Sequence, residues 1–402
     1  MASILQINAT CNWGSTGHIA EQIATLAEER GLDCYVAHGA RYVRKSSIKT
    51  IPIGSKMGNE VHALISMLFG RHGLSSTHAT KEFIKTIQSI KPDVVHLHNI
   101  HGYYINYKIL FEFLKDSKIP VVWTLHDCWS MTGQCTHFES VGCNKWQTGC
   151  EHCPLLDASY RTIVDRSRKN WELKRYLFSS VENLTIVPVS YWLEGVVKKS
   201  FLKNSRTMVI HNGIDTDMFK PVTVSRKELG LNGDKPVVLG VSSEWGRKKG
   251  LNDFIELSKN TDIQVVLIGV TEQQKKTLPK TIIAIERTHN QEELVKYYSA
   301  ADVFVNPTYE DSLPTVNIEA LACGTPVVTY RTGGSPEILD ENTGIVVKKG
   351  DISGLLKAIR SIEEKGKSSF SVACRDRAVN CFNKEKKFEE YIHLYNSLLV
   401  TK

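Results

Sequence analysis

Short apolar runs alternate with amphipathic segments along almost the whole chain, and this alternation restricts the fold more than any other feature. The pattern is typical of strands joined by crossover helices. Such strands pair in parallel and are covered by helices on both faces of the sheet. In the first half, strands are predicted at residues 3–7, 34–37, 94–97, 121–125 and 185–189, and helices at 18–30, 81–90, 107–115 and 171–178.

The second half repeats the alternation. Its predicted strands are 237–241, 264–268, 282–284, 303–306 and 326–330, and its predicted helices are 251–257, 291–299 and 314–322. Because 402 residues are too many for one hydrophobic core, we predict an α/β fold with two doubly wound Rossmann-like domains, 1–208 and 209–384. We expect the last helix, within 385–402, to return to the first domain. Ligands of such sheets bind beyond the carboxyl ends of the strands, so both domains are predicted to line a cleft.

Charge and apolar pattern limit the partners of the chain. The formal net charge of +7 is modest, and no run of lysines and arginines resembles a nucleic-acid-binding tail. No apolar run reaches the roughly 18 residues that span a bilayer, and residues 1–9 lack the basic start of a secretory signal. The sequence therefore predicts a cytoplasmic protein that does not bind nucleic acid.

The segment 56–74 has apolar residues at helical spacing, with basic residues nearby. The apolar residues are Met57, Val61, Leu64, Ile65 and Leu68. One interpretation is peripheral contact with the inner face of a membrane that carries a lipid-linked substrate. The other is an amphipathic helix whose apolar side packs on its own sheet.

Two carboxylates bracket the start of the helix predicted at 314–322. Asp311 lies in the loop before it, and Glu319 lies about a turn inside it. Pro314 suits the first turn because its missing amide hydrogen costs nothing there, and Gly324 suits the end of the helix. A sugar phosphate at this position would meet two hydroxyl acceptors and the positive end of the helix dipole. Solvated acids in an ordinary loop and helix are the alternative.

Two further segments are suited to phosphate groups. Gly14 and Gly17 follow the first strand, where small residues let backbone amides approach a phosphate or a sugar. After the strand at 237–241, Arg247 and Lys249 lie in a cationic turn that could neutralise a diphosphate leaving group. A simple tight turn and a solvated basic turn are the respective alternatives.

Histidines follow two buried strands of the first half. His126 titrates near neutral pH and is the leading catalytic candidate. His96, His98, Asn99 and His101 end the neighbouring strand and are predicted to face the second substrate. For each histidine, a structural role with satisfied hydrogen bonds is the alternative.

Cysteines crowd into a predicted insertion at about 128–154. Cys135, Cys143, Cys150 and Cys153 supply four thiols and one Cys-x-x-Cys, enough for a tetrahedral zinc site. Unligated thiols are the alternative, because the first two spacings are longer than usual for a zinc finger. Such a metal would be structural.

In their order along the chain, these segments resemble the retaining glycosyltransferases of family 4. Asp311 and Glu319 match the acidic-x7-acidic donor motif, although the family usually has Glu in the first position. Lys249 matches the lysine of the Arg…Lys-Gly diphosphate clamp. The usual arginine would fall near residues 243–244, so either Arg247 replaces it or the clamp rests on Lys249 alone.

Three shorter matches support the resemblance. They are the Thr-x-His-Asp segment at 124–127, the Asn-Gly-hydrophobic-Asp junction at 212–215, and the glycine turn at 331–337, which contains Gly333 and Gly334. None of them is specific alone.

The resemblance implies a GT-B fold and a nucleotide-sugar donor, a UDP- or GDP-sugar, held mainly by the second domain. Lys249 and Arg247 would neutralise the departing diphosphate, Glu319 would hold the ribose, and Asp311 would hold the donor sugar. The predicted catalytic residues are His126, Asp311 and Lys249. The predicted donor-binding residues are Gly14, Gly17, Arg247, Lys249, Leu313, Pro314, Thr315, Glu319, Gly333 and Gly334.

The resemblance also implies transfer to a hydroxyl of a glycan or lipid-linked acceptor, in surface polysaccharide biosynthesis, without a divalent metal for catalysis. Two other interpretations remain open. A GT-B-fold sugar-nucleotide epimerase would use the same donor cleft without an acceptor. A noncatalytic nucleotide-sugar or glycan-binding subunit would bind donor without turnover.

Overall fold

The structure is a computed structural model that describes residues 1–157 and 160–400. It divides into two compact units. The first is Met1–His211 together with the chain from Lys387 onward, and the second is Asn212–Lys386. The sequence predicts these boundaries at 208 and 384.

The first unit is built on a parallel sheet. Its strands are β1 (Ser3–Asn8), β2 (Asp33–Gly39), β3 (Lys49–Ile53), β4 (Val94–Leu97), β5 (Val121–Leu125), β6 (Leu184–Pro188) and β7 (Arg206–Thr207). Its helices are α1 (Gly14–Glu29), α2 (Lys56–Phe69), α3 (Thr77–Ile90), α4 (Tyr107–Ser117), α5 (Ser167–Phe178) and α6 (Tyr191–Lys199). The strand order is β3-β2-β1-β4-β5-β6-β7, so the direction of winding reverses between β1 and β4. Ligands of doubly wound sheets bind at such a reversal.

The second unit repeats this architecture. Its strands are β8 (Val237–Val241), β9 (Gln264–Ile268), β10 (Ile282–Ile285), β11 (Val303–Asn306), β12 (Val327–Tyr330) and β13 (Gly344–Val347). Its helices are α7 (Leu251–Leu257), α8 (Glu272–Thr277), α9 (Gln291–Ala300), α10 (Thr315–Ala322), α11 (Ser335–Ile338), α12 (Ile352–Lys365) and α13 (Ser368–Cys381), and α14 (Lys384–Val400) begins here. The order β10-β9-β8-β11-β12-β13 reverses between β8 and β11. The predicted class, two doubly wound parallel sheets, is confirmed.

Most strands that the sequence predicts are well buried, β10 at a sheet edge being the exception, and the strands that it misses all lie at sheet edges. Every residue of β4 and β5 is buried, which gives the apolar runs that identify them. The missed strands β3, β7 and β13 are each the last strand on one side of a sheet and are only partly buried. In β3, Pro52 is tolerated because an edge strand leaves one row of backbone groups unpaired.

The last helix belongs to the core of the first unit. Phe388, Ile392 and Tyr395 of α14 pack with Ile23 and Val94 in one buried cluster. The hydroxyl of Tyr395 is 2.6 Å from Nδ1 of His96, and both residues are fully buried. The first unit is therefore completed by the last residues of the chain.

Helix α2 presents its apolar residues to solvent. Its buried residues are polar: Asn59, His62 and Ser66. The exposed fractions of Met57, Val61, Leu64, Leu68 and Phe69 are 74%, 51%, 51%, 38% and 57%. The interpretation in which these side chains pack on the sheet is therefore wrong. None of the helices in the described ranges is long and apolar enough to cross a bilayer.

Replacing Tyr395 by Phe tests the link between α14 and the first unit. The change leaves Nδ1 of His96 buried without its hydrogen-bond partner, so we expect a loss of about 1–3 kcal/mol in the free energy of unfolding. Thermal or urea unfolding measures it. Tyr176→Phe, at an exposed position on α5, is the matched control and should leave stability unchanged. Equal stability of the two variants would contradict this account.

Candidate active site

The acidic motif of the second unit lies between two strands that pair with each other. The chain leaves β11, passes through the loop with Asp311, forms α10 and returns as β12. The helix begins at Thr315, so Pro314 precedes its first turn instead of forming part of it. Gly324, with φ of 73°, ends the helix as predicted, because only glycine adopts this left-handed conformation without strain.

Two ion pairs join the basic turn to this loop. Nζ of Lys248 is 2.7 Å from Oε2 of Glu310, and Nζ of Lys249 is 2.7 Å from Oδ2 of Asp311. The amide of Tyr309 also donates to the carbonyl oxygen of Lys248 at 2.8 Å. Consecutive lysines therefore bind consecutive acids, and the turn is fixed beside the start of α10. An anionic ligand here would compete with Asp311 for Lys249.

A glycine lets the basic turn approach the loop. Gly250 has φ of 73°, and a Cβ atom added to it would be 2.4 Å from the carbonyl oxygen of Pro307. Any larger residue would push the turn away from the loop. Arg247 lies in the same turn and forms no ion pair within the part of the chain that the structure describes.

Glu319 is held by an aromatic hydroxyl from the neighbouring helix. Tyr298 on α9 donates to Oε2 of Glu319 at 2.9 Å. Burial among protein atoms raises the pKa of this carboxyl to about 7. A carboxyl that loses its proton near neutral pH can accept hydrogen bonds from vicinal hydroxyls once it is ionised.

The glycine turn after β12 reaches the same loop. The amide of Gly334 donates to the carbonyl oxygen of Ser312 at 3.1 Å, and Gly333 has φ of 53°. Leu313 is buried beneath this contact, and Thr315 opens α10. The structure thus brings together the predicted donor residues of the second unit.

In the first unit, β1, β4 and β5 end in a chain of polar contacts. Nε2 of Gln6 donates to the carbonyl oxygen of Ala20, which directs Oε1 of Gln6 to Nε2 of His98 at 2.7 Å. His98 therefore carries its proton on Nε2 and accepts at Nδ1 from Nε2 of His126, 3.1 Å away. We infer from this network that Nδ1 of His126 is left with a lone pair.

Burial keeps these histidines neutral. It lowers the pKa of His126 to about 4 and that of His96 to about 3. His96 uses both ring nitrogens inside the unit, with Tyr395 at 2.6 Å and Thr124 at 2.8 Å. His96 was predicted to face the acceptor, with a structural role as the alternative. Its two internal hydrogen bonds give it the structural role. The backbone amide of Asn99 donates to Oδ1 of Asn8, the last residue of β1, at 3.3 Å.

His101, which the sequence predicts to face the second substrate, lies beside the Thr-x-His-Asp segment. Nε2 of His101 is 2.9 Å from Oδ2 of Asp127, and Nδ1 contacts the hydroxyl of Tyr160. Burial by itself raises the pKa of Asp127, but His101 and the amide of Trp129 outweigh it, so the net shift is downward. The following turn is fixed by Lys174, whose Nζ donates to the carbonyl oxygen of Trp129 at 2.6 Å.

Gly14 and Gly17 lie at the start of α1, which begins at Gly14, before the predicted residue 18. A Cβ atom on Gly17 would be 2.7 Å from Oγ1 of Thr10, so the loop after β1 requires glycine there. No side chain caps α1, and its first turn contains no acid. Its first backbone amides are therefore available to an anion.

The cysteines do not form the predicted metal site. Cys135, Cys143, Cys150 and Cys153 border one cavity of about 20 Å³ without a disulfide. Across residues 1–157 and 160–400, no three His, Cys, Asp or Glu side chains are arranged to hold a metal ion. Burial raises the pKa of Cys135 and Cys150 to about 12, so both thiols are protonated at neutral pH when no metal ion is bound. The structure favours unligated thiols.

Comparison with known proteins identifies the family. Residues 14–218 match the model "Glycosyltransferase Family 4", and residues 222–378 match "Glycosyl transferases group 1". The chain belongs to glycosyltransferase family 4. The predicted resemblance and the assignment as a glycosyltransferase are confirmed.

The family members to which this chain is similar include WcaC of Escherichia coli K12, assigned by its name to colanic acid biosynthesis. That protein is 24% identical over 98% of this chain and 100% of its own length. A D-inositol 3-phosphate glycosyltransferase of Mycobacterium sp. (strain JLS) is 32% identical over 43% of each chain.

Solved structures confirm the GT-B fold class. Sucrose-phosphate synthase from Thermosynechococcus elongatus superposes with a TM-score of 0.73 at 19% identity, covering 100% of both chains. HepE of Anabaena, solved in complex with UDP, superposes with a TM-score of 0.67 at 16% identity, covering 99% of this chain and 100% of its own.

Replacing Glu319 by Gln tests the environment of this carboxyl. Because its pKa of about 7 in the folded chain exceeds the usual 4.5, the folded state binds an extra proton between these pH values, and stability falls as pH rises through them. We therefore expect the thermal midpoint of the wild type to fall relative to that of Glu319→Gln between about pH 5 and pH 8. The thermal midpoint of Glu341→Gln, a change at an exposed position, should vary with pH as that of the wild type does. If the thermal midpoints of the wild type and Glu319→Gln differ by the same amount at every pH, the pKa of Glu319 is not raised.

Proposed function

We propose that this protein is a retaining glycosyltransferase that transfers a sugar from a UDP- or GDP-sugar to a hydroxyl of a glycan or lipid-linked acceptor. The observation that carries the proposal is the fixed pairing of Lys249 with Asp311 at the start of α10, in a family 4 chain. The role in surface polysaccharide biosynthesis is supported by the name of the E. coli relative, and a nucleotide donor by the UDP bound to HepE.

The second unit supplies the donor site. Lys249, with Arg247, neutralises the negative charge that develops on the leaving diphosphate, and these cations act most strongly in the transition state. Asp311, released from Lys249 by the diphosphate, accepts hydrogen bonds from the donor sugar. Glu319 accepts hydrogen bonds from the ribose. Leu313, Pro314, Thr315, Gly333 and Gly334 shape the backbone around these groups.

The first unit supplies the acceptor site. The neutral His126 accepts a hydrogen bond at Nδ1 from a sugar hydroxyl, and His98 and Gln6 hold the ring in this tautomer. Asn99 contacts the acceptor, and Gly14 and Gly17 present amides to the donor. The acceptor oxygen attacks the anomeric carbon of the donor sugar from the same face as the diphosphate. The bond from the anomeric carbon to the diphosphate breaks. The departing diphosphate takes the proton of the acceptor hydroxyl. The configuration at the anomeric carbon is retained.

Lys249→Ala tests the proposal. Losing one group that stabilises developing negative charge typically lowers kcat by roughly 100- to 1000-fold, and we expect this for sugar transfer and for slow donor hydrolysis. Lys276→Ala, at an exposed ion pair on α8 in the same unit, should retain full activity. Both variants are assayed against a panel of UDP- and GDP-sugars by release of the nucleotide.

The same assay separates the other interpretations. An epimerase would convert or release the sugar at a rate that does not depend on acceptor. A noncatalytic subunit would be stabilised thermally by a donor, by about 2.7 kcal/mol at a hundred times its dissociation constant, yet would show no turnover. Full activity of Lys249→Ala would contradict the proposed site.

We also propose that α2 contacts the inner face of the cytoplasmic membrane, where a lipid-linked acceptor would lie. The exposed apolar residues of α2 adjoin a cavity of about 670 Å³ between α2, β3 and α3, lined mostly by apolar groups such as Ile51, Ile65 and Phe83. Lys56 and Arg71, at the two ends of α2, are exposed and suit anionic lipid headgroups.

Leu64→Ser combined with Leu68→Ser tests this contact. We expect the wild type to sediment with vesicles of phosphatidylglycerol and phosphatidylcholine, and the double variant to remain mostly in the supernatant, because it loses apolar surface that would enter the membrane. Val372→Ser, 71% exposed in the second unit, is the control and should sediment like the wild type. Equal sedimentation of all three proteins would exclude α2 as the contact.

A further inference from the structure

Two aromatic rings are exposed side by side at the carboxyl edge of the first sheet. Trp13 lies in the loop after β1, and Tyr42 lies in the loop after β2. Their ring centroids are 6.0 Å apart with an interplanar angle of 20°. The exposed fractions are 38% and 58%, so the pair presents flat apolar surface to solvent.

Cations surround this pair. Cζ of Arg44 lies 4.3 Å from the centroid of the Trp13 ring, and Cζ of Arg41 lies 5.8 Å from that of Tyr42. Lys45 follows Arg44 and is exposed. None of these three cations has an ion pair with a carboxylate among residues 1–157 and 160–400.

The nearest acid of α1 does not pair with them. Both carboxylate oxygens of Glu21 accept hydrogen bonds from the hydroxyl of Ser46, at 2.8 and 2.7 Å. The amide of Ser47 donates to the same carboxylate at 2.9 Å. Glu21 therefore fixes the end of the loop through neutral donors, and the guanidinium groups of Arg41 and Arg44 keep their N–H donors for another acceptor.

The backbone holds the two loops together in a strained conformation. The amide of Cys11 donates to the carbonyl oxygen of Tyr42 at 3.3 Å, and the amide of Arg44 donates to the carbonyl oxygen of Cys11 at 3.0 Å. Asn12 and Tyr42 have φ of 45° and 50°, values in the left-handed region that non-glycine residues rarely adopt. Strain of this kind persists only where surrounding contacts enforce it, and it is common at ligand sites.

The chemistry of the surface matches a sugar that carries a carboxylate. Aromatic faces pack against the apolar C–H face of a pyranose ring, and guanidinium groups bind carboxylates through paired N–H donors. A neutral sugar would use only the rings.

The position of the surface relates it to the proposed acceptor site. The loops after β2, β1, β4 and β5 emerge at the same edge of one parallel sheet, in that order. With neighbouring strands roughly 4.8 Å apart, β2 is about 14 Å from β5, and His126 directly follows β5. An acceptor that reaches both places must contain several sugar residues.

We propose that Trp13, Tyr42, Arg41 and Arg44 form a subsite for an acidic sugar residue of an oligosaccharide acceptor, remote from the hydroxyl that is glycosylated. This inference rests on the proposed function, and it names the class of acceptor: an oligosaccharide that contains a uronic acid.

The experiment uses the full chain and two tetrasaccharide probes. One alternates glucuronic acid with N-acetylglucosamine, and the other contains only N-acetylglucosamine. Dissociation constants are measured by calorimetry or by saturation-transfer NMR. We expect the acidic probe to bind more tightly than the neutral one, with an affinity that falls as salt concentration rises.

Variants locate the binding. Tyr42→Ala and Arg44→Gln should each weaken binding of the acidic probe by about five- to tenfold, because each removes one stacking or charged contact. Tyr176→Ala, at an exposed tyrosine elsewhere in the first unit, should bind like the wild type. Thermal stabilisation by the donor should be the same in all four proteins, which also shows that the variants are folded.

The outcomes separate this inference from the proposed function. Equal affinity for both probes, no binding of the acidic probe, or unchanged affinity in Tyr42→Ala and Arg44→Gln would overturn the subsite. Absence of thermal stabilisation by every UDP- and GDP-sugar would instead contradict the donor site, whatever the probes show.

Discussion

Within each sheet all strands are parallel, and this constraint places the candidate site. A parallel strand must be followed by a crossover, so every loop that leaves a strand emerges at the same edge of its sheet. His126 and Asn99 follow neighbouring strands of the first sheet, and Lys249 and Asp311 follow neighbouring strands of the second. Residues that are far apart in the sequence are thereby adjacent in space, and the helices serve mainly to return the chain to the opposite edge.

Polar groups inside the first unit depend on one another. Gln6 orients His98, His98 orients His126, and His96 is held from the opposite side by Tyr395. Because buried imidazoles are more stable when uncharged, the network consists of neutral rings whose donors and acceptors alternate. The ring of His126, at the end of this network, therefore has a defined tautomer.

The sequence predicts the buried parts of the fold well and the edges poorly. Strands β4, β5, β8, β9 and β11 have the predicted bounds, because burial on both faces leaves continuous apolar runs. Edge strands such as β3 lack that signal. In the site, the acidic spacing and the basic turn could be predicted, but their pairing, Lys249 with Asp311, depends on tertiary contact. Gln6 was visible as the single polar interruption of an apolar strand. The spacing of the thiols along the chain left zinc and unligated thiols open, because it does not determine how the four sulfur atoms are arranged around their shared cavity.

The packing of α14 has a consequence for how the protein is made. The first unit takes Phe388, Ile392 and Tyr395 into its core, so its hydrophobic cluster cannot close until α14 has been synthesised. The second unit, continuous from Asn212 to Lys386, can close earlier during translation.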